Sequence, residues 1–111
     1  MVIKLIVERK VIPGSQDEIV DFLRELRSAA VLQPGFVSGE TLIDAYNPTI
    51  FITISTWNSI SFWENWEKNQ DRQLIIENIN SLLQDKPLVR VSFIVCINIF
   101  FTFLYITFMY I

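Results

Sequence analysis

The feature that most constrains the fold is the uneven distribution of charge along the chain. All nine basic and all twelve acidic residues lie within residues 1–90, and none follows Arg90. Residues 93–111 are apolar or aromatic except for Asn98, Thr102 and Thr107. We therefore predict one folded domain from residues 1–91 and a separate apolar C-terminal tail from residues 92–111.

The apolar tail is compatible with three interpretations. As a helix, residues 93–111 would span roughly 28 Å, close to the bilayer hydrocarbon thickness of about 30 Å, which favours a membrane anchor. Lys86 and Arg90 would then lie on the cytoplasmic side, in line with the positive-inside tendency. Alternatively, residues 93–97 complete the last strand of the domain, or the tail is a non-native terminus.

The composition excludes several kinds of site and partner. The chain has no histidine and a single cysteine, Cys96, so one chain can form neither a His/Cys metal centre nor an internal disulfide. Its net charge of −3 supplies no positive field for phosphate backbones, so we expect no nucleic-acid partner. Because Lys4 and Glu8 interrupt the first apolar stretch, we expect no export signal and a cytoplasmic location, with membrane association only through the tail.

Hydrophobic periodicity predicts a strand and then a helix at the start of the domain. Residues 2–12 alternate with a period of two, which is typical of a half-buried strand, and a Pro-Gly pair follows them. Ser15 with Glu18 three residues later predicts a capping box, so a helix should begin at Gln16. Apolar residues then recur at three- and four-residue spacing until Pro34.

The rest of the domain alternates between strand and helix patterns. Two strand patterns joined by an Asn47-Pro48 turn predict a hairpin. The helical stretch after the hairpin is interrupted by the polar residues 69–71, which predicts two helical pieces. The predicted strands are residues 36–46, 49–57 and 88–91, and the helical stretch is residues 59–83. The order βαββαβ predicts an α+β fold, with helices on one face of an antiparallel sheet.

The size of the domain predicts self-association. A chain of this length has difficulty burying both faces of a four-stranded sheet. Ile6, Leu42 and Phe51 are expected on the faces opposite those assigned to the helices. Because a second copy would cover these apolar residues, we predict a homodimer.

Three segments resemble the antibiotic biosynthesis monooxygenase family. They are QPGFVSGETL at residues 33–42, ISTWNS at residues 54–59 and WENW at residues 63–66. The resemblance covers about residues 2–91 and implies a ferredoxin-like fold whose sheets pair face to face in a homodimer, forming a dimeric α/β barrel. It also implies cofactor-independent oxidation, by O2, of a small aromatic or polyketide-like substrate in a pocket between helices and sheet.

Such an oxidation is chemically feasible without a metal or cofactor, and we predict neither. An electron-rich phenol or hydroquinone, once deprotonated, can itself pass an electron to O2, so the protein must bind it, ease deprotonation and exclude water. We predict Trp66 and Asn69 as catalytic, with Asn69 hydrogen-bonding a substrate oxygen. We predict that Phe62, Trp63 and Arg72 bind substrate. Phe62 shares a helix face with Trp66 and Asn69, and Arg72 holds an anionic group.

Haem chemistry is not expected, although some members of the family degrade haem. The resemblance to that branch would place an asparagine at the position of Val7 and a ligating histidine at the position of Ile76. Neither residue is present, so the usual proximal ligand is lost.

A non-catalytic function is the alternative. Aromatic residues at helical spacing commonly belong to a core, and a space filled by Trp57, Phe62, Trp63 and Trp66 would favour a dimeric domain that binds small molecules or tethers a partner at the membrane. A cavity beside Trp66 with a convergent polar group would favour the enzyme.

Overall fold

The computed structural model describes residues 1–95 as a four-stranded antiparallel sheet with three helices on one face. The strands are β1 (Ile3–Lys10), β2 (Phe36–Ile43), β3 (Ile50–Trp57) and β4 (Leu88–Phe93), and the helices are α1 (Gln16–Ala30), α2 (Ile60–Glu67) and α3 (Gln70–Asn80). The strand order is β2-β3-β1-β4. This is a ferredoxin-like α+β fold, which confirms the predicted βαββαβ order and the two helical pieces.

The core lies between the helices and one side of the sheet. On β1 this side carries Ile3, Leu5 and Val7, which are at most 6% exposed. Because directly paired residues share a face, their β3 partners Trp57 and Thr53 point the same way as Ile3 and Val7. Two clusters make up the core, one of Ile3, Leu5, Val7, Ala30, Trp57, Trp63 and Trp66 and the other of Val11, Ile19, Leu23, Phe51, Ile75 and Ile79.

The predicted capping box at the start of α1 is wrong. Helix α1 begins at Gln16 as expected, but the side chain of Ser15 makes no capping hydrogen bond. Instead, the Ser15 carbonyl accepts from the Ile19 N–H at 3.0 Å, and the Gln16 side chain accepts from the Gly14 N–H at 2.8 Å. The Gly14–Gln16 contact therefore organises the entry to the helix.

The expectation that Phe51 lies on the open face of the sheet is also wrong. Phe51 is 1% exposed and packs in the core with residues of α1 and α3. It has the same strand parity as Thr53 and Trp57, so the alternation of β3 carries it to the helix-facing side.

The opposite face of the sheet carries a row of apolar side chains that none of the helices within residues 1–95 covers. Ile6 pairs with Ile54 across β1 and β3, and Leu42 pairs with Ile52 across β2 and β3. The three isoleucines are half-buried, and Leu42 is 44% exposed. We call these four residues the open-face patch.

Strand β4 includes the first residues of the predicted tail. Ser92 pairs with Lys4 and Phe93 pairs with Ile3 at the sheet edge. The prediction of a membrane anchor in residues 93–111 falls almost entirely on residues 96–111, which lie outside the described part of the chain. Within residues 1–95, none of the helices has the length and apolarity needed to cross a bilayer.

Candidate functional site

A cavity of about 60 Å³ lies between the three helices and strands β1 to β3. We call it the central cavity. Strand alternation places Thr53, Ser55 and Trp57 of β3 on the side that faces it. Trp63 and Trp66 are three residues apart on α2, so they share the helix face that packs onto the sheet. The cavity is therefore bounded by hydroxyl groups on one side and indole rings on the other.

The three tryptophans form one packed aromatic group. The ring of Trp57 stacks on that of Trp66 at 6.5 Å between centroids and meets Trp63 edge-on at 6.1 Å. The indole N–H of Trp57 donates to the Ser55 hydroxyl at 3.1 Å. All three side chains are at most 4% exposed. These tryptophans consequently contribute to the core as well as to the cavity surface.

Arg9 brings a buried positive charge to the cavity. It lies on the helix-facing side of β1 and is 4% exposed. Its Nη1 donates to the Thr53 hydroxyl at 3.3 Å, and that hydroxyl lies 3.4 Å from the hydroxyl of Thr41. Its Nε has no hydrogen-bond partner within residues 1–95. Burial, and secondarily the charge of Arg72, lowers the pKa of Arg9 to about 10.

Arg72 adds a second guanidinium, which is held in place by α2 and α3. Its guanidinium carbon lies 5.0 Å from the centroid of the Trp63 ring, within cation–π range. Its Nη1 donates to the carbonyl oxygen of Glu67 at 3.3 Å. Burial lowers the pKa of Arg72, and the charge of Glu67 acts in the opposite direction.

The structure brings together some of the predicted site residues and separates others. Trp63, Trp66 and Arg72 all line the central cavity. Asn69 lies outside the lining and caps α3, where its Oδ1 accepts from the Arg72 N–H at 3.1 Å. Phe62 is 37% exposed and also lies outside the lining, with its side chain against Gly35.

Arg9 is the site residue that the sequence analysis missed. A signal for it was present, because Arg9 follows Ile3, Leu5 and Val7 in the two-residue period of the buried side of β1. A charged residue in phase with a buried apolar row is unusual unless it has a partner.

Two further spaces adjoin the central cavity. The α1–β2 groove, of about 270 Å³, shares Leu23, Arg27 and Thr41 with it. The space that we call the β4 hollow, of about 170 Å³, shares Val7, Arg9, Trp63 and Arg72 with it, and its remaining lining residues are Glu67, Ile76, Asn80, Pro87 and Val89. A cavity of roughly 150 Å³ holds a benzene ring. Each adjoining space therefore has room for one ring, whereas the central cavity does not.

Cationic groups outnumber carboxylates in this region. Arg9, Arg27 and Arg72 line the central cavity with Glu40, and Arg9 and Arg72 line the β4 hollow with Glu67. Within residues 1–95, no group of three or more His, Cys, Asp or Glu side chains is arranged to hold a metal ion. Arginine and hydroxyl groups can instead bind and stabilise oxyanions.

Comparisons with known proteins identify relatives at the level of family and fold. The family model for antibiotic biosynthesis monooxygenases matches residues 2–78, whereas no curated protein matches the chain. A solved antibiotic biosynthesis monooxygenase is 18% identical, with a TM-score of 0.78 over 85% of this chain and 99% of that one. SnoaB, a cofactor-independent oxygenase from Streptomyces nogalater, is 12% identical, with a TM-score of 0.79 over 87% of this chain and 96% of that one. A conserved protein from Methanosarcina mazei Go1 is 13% identical, with a TM-score of 0.80 over 83% and 91% of the two chains.

Proposed function

The chain belongs to the antibiotic biosynthesis monooxygenase family, and from this membership we propose that it is a cofactor-independent monooxygenase acting on a small, electron-rich hydroxylated aromatic. The observation that carries the proposal is the convergence of Trp63, Trp66 and two guanidiniums on one cavity. An aromatic surface with a few polar groups is typical of a small-molecule site. The similarity to SnoaB supports the choice of chemistry.

The proposed reaction begins with deprotonation of the substrate. A phenol in water has a pKa near 10, and nearby positive charge lowers that value because it favours the phenolate. Arg9 and Arg72 supply this charge. The phenolate then transfers one electron to O2, and the resulting substrate radical and superoxide combine to form a C–O bond.

A single-ring hydroquinone completes the balance without an added reductant. The ring carbon that receives the peroxide carries one hydrogen, and the neighbouring hydroxyl group supplies a second. Both hydrogens leave with one oxygen atom as water, and the other oxygen atom remains on that carbon as a carbonyl, so the product is a hydroxyquinone. The protein therefore has to bind the ring, stabilise the phenolate and keep bulk water from the radical pair.

The predicted residues have different roles in this scheme. Trp63 and Trp66 present ring surface to the substrate. Asn69 acts through Arg72, since its side chain caps the turn that carries this arginine. The substrate ring occupies one of the two adjoining spaces and directs its reactive edge to the central cavity, because that cavity is too small for a ring.

Oxygen uptake by the full chain tests the proposal. We expect O2 consumption with a panel of single-ring hydroquinones in the presence of a metal chelator and without added flavin. Trp66→Ala, which removes the ring surface, should lower uptake at least tenfold, and Trp66→Phe, which keeps most of the apolar bulk and deletes the indole N–H, should lower it less. Tyr46→Phe, at a side chain that is 98% exposed, is the control and should match the unmodified chain. An absence of uptake across the panel would refute the proposal.

The second candidate function is a non-catalytic dimeric domain that binds small molecules or tethers a partner at the membrane. The dense Trp57–Trp66 packing and the small central cavity favour it. Binding of aromatic ligands with no oxygen uptake would identify this function.

We also propose that the chain forms a homodimer through the open-face patch. Ile6, Leu42, Ile52 and Ile54 form an apolar surface across three strands, and none of the helices in the described part of the chain covers it. A second copy would bury both patches, and hydrophobic burial stabilises association in proportion to its area.

A further inference from the structure

The buried guanidinium of Arg9 is incompletely partnered by its own chain. A guanidinium has five N–H donors, and the hydrogen bond from Nη1 to Thr53 uses one of them. The Nε is buried without a partner within residues 1–95. Burying a charged group without compensating contacts is expensive, so the arrangement calls for an acceptor that the described chain does not supply.

Within residues 1–95, the two guanidiniums also lack an ion-paired carboxylate. Within residues 1–95 the one side-chain ion pair is between Arg24 and Asp21, at 3.7 Å on the surface, so neither Arg9 nor Arg72 is paired with a carboxylate. Residues 96–111 contain no Asp or Glu. Arg72, whose like charge acts on Arg9, raises the cost of keeping both guanidiniums charged. Glu67 lines the β4 hollow and its charge raises the pKa of Arg72, and Glu40 lines the central cavity. Neither forms an ion pair with Arg9 or Arg72, so the guanidiniums remain in excess and an external anion would balance them.

We propose that Arg9 and Arg72 bind a carboxylate carried by an aromatic ligand; this deepens the proposed function, because it assigns the substrate class of the same site. A carboxylate is ionised at neutral pH before it binds, whereas a phenol must first lose a proton. The planar donor fork of arginine matches the two oxygens of a carboxylate and can bind both.

The spaces on either side of the guanidiniums fit this class of ligand. Arg9, Arg72 and Trp63 line both the central cavity and the β4 hollow. The hollow has a volume of about 170 Å³, and roughly 150 Å³ is enough for a benzene ring. In the proposed complex, the ring of a single-ring aromatic carboxylate lies against Trp63 in the hollow and its carboxylate contacts the guanidiniums of Arg9 and Arg72.

Anaerobic binding to the full chain at pH 7 tests this assignment. The probes are 2,5-dihydroxybenzoate and its neutral analogue 2,5-dihydroxybenzamide, and binding is measured by titration calorimetry. The benzoate should bind about ten- to a hundredfold more tightly than the amide, which corresponds to the energy of charged hydrogen bonds. Arg9→Met and Arg72→Gln should each remove most of this preference, whereas Arg9→Lys should retain part of it.

A matched control variant comes from the open face of the sheet. Arg90→Gln removes an arginine from the exposed open face of β4 and should leave the preference unchanged. Equal binding of benzoate and amide, or an undiminished preference in both Arg9→Met and Arg72→Gln, would overturn the assignment. Binding of hydroquinone that strengthens steeply from pH 7 to 10 and exceeds that of the benzoate would overturn it in favour of a phenolate.

The two proposals fail separately in these experiments. Because binding is measured without O2, a preference for the benzoate with no oxygen uptake supports the carboxylate site and contradicts the oxygenase. Oxygen uptake with neutral substrates, together with equal binding of the benzoate and the amide, supports the oxygenase and contradicts the carboxylate site.

Discussion

Replacing Arg9 with methionine should stabilise the folded chain. The environment lowers the pKa of Arg9 from its ordinary value to about 10, and one pKa unit is equivalent to about 1.4 kcal/mol. The charged guanidinium therefore costs the folded state about 3 kcal/mol at neutral pH. Methionine keeps apolar bulk at this site and loses the hydrogen bond to Thr53, which is worth about 1 kcal/mol. The expected net gain is about 2 kcal/mol, or a rise in Tm of about 10 °C for a domain of this size.

The sign of the pH dependence follows from the lowered pKa. Below about pH 10, Arg9 is protonated in both the folded and unfolded chains, so the full cost is present. As the pH rises above about 10, the folded chain loses the proton before the unfolded chain does, and the cost declines. The difference in Tm between Arg9→Met and the unmodified chain should therefore be constant from about pH 5 to pH 9.

Thermal unfolding followed by circular dichroism measures the effect of this substitution. Arg9→Lys is the control, because it keeps a buried cation and should give no gain. A lower Tm for Arg9→Met than for the unmodified chain, in the absence of any added anion, would refute the reasoning. It would show that the guanidinium stabilises the fold through its own contacts.

Two further predictions concern the backbone and the open face. Gly35 has a φ of +82°, and a methyl group there would overlap the Phe62 side chain, so Gly35→Ala should lower the free energy of unfolding by about 2–4 kcal/mol. Gly14 has a φ of +93° and open space around it, so Gly14→Ala should lower the free energy of unfolding by only about 1–2 kcal/mol. Urea unfolding measures both variants, and equal losses of stability in Gly35→Ala and Gly14→Ala would refute the role of the Phe62 contact. In light scattering the full chain should have twice its monomer mass of 13.0 kDa, and Ile54→Glu should reduce this to one chain; a monomeric unmodified chain would contradict the dimer.

The sequence predicted the order of elements well because the strand and helix periods differ so clearly. It also located the break between α2 and α3, where Asn69 adopts an extended conformation and caps α3.

The strand ends predicted from the sequence were less accurate because local hydrogen bonds determine them. Strand β2 ends at Ile43, before the predicted residue 46, since the Asp44 carboxylate accepts from the Tyr46 and Asn47 N–H groups at 3.0 and 2.8 Å. Such an Asx-type turn competes with strand pairing.

The site was harder to predict because its charges come from distant parts of the chain. The sequence predicted Trp63, Trp66 and Arg72 as site residues, and all three line the central cavity. Arg9 is separated from Arg72 by more than sixty positions in the sequence. The two residues reach one cavity only through the antiparallel pairing of β1 with β3 and the packing of α2 and α3 against the sheet. Periodicity alone assigned that side of β1 to the core. A core made only for stability would carry an apolar residue at this position, since burying an unpaired charge lowers stability. The free-energy cost of burying the Arg9 charge is therefore best explained by an anionic ligand, whose binding would offset that cost.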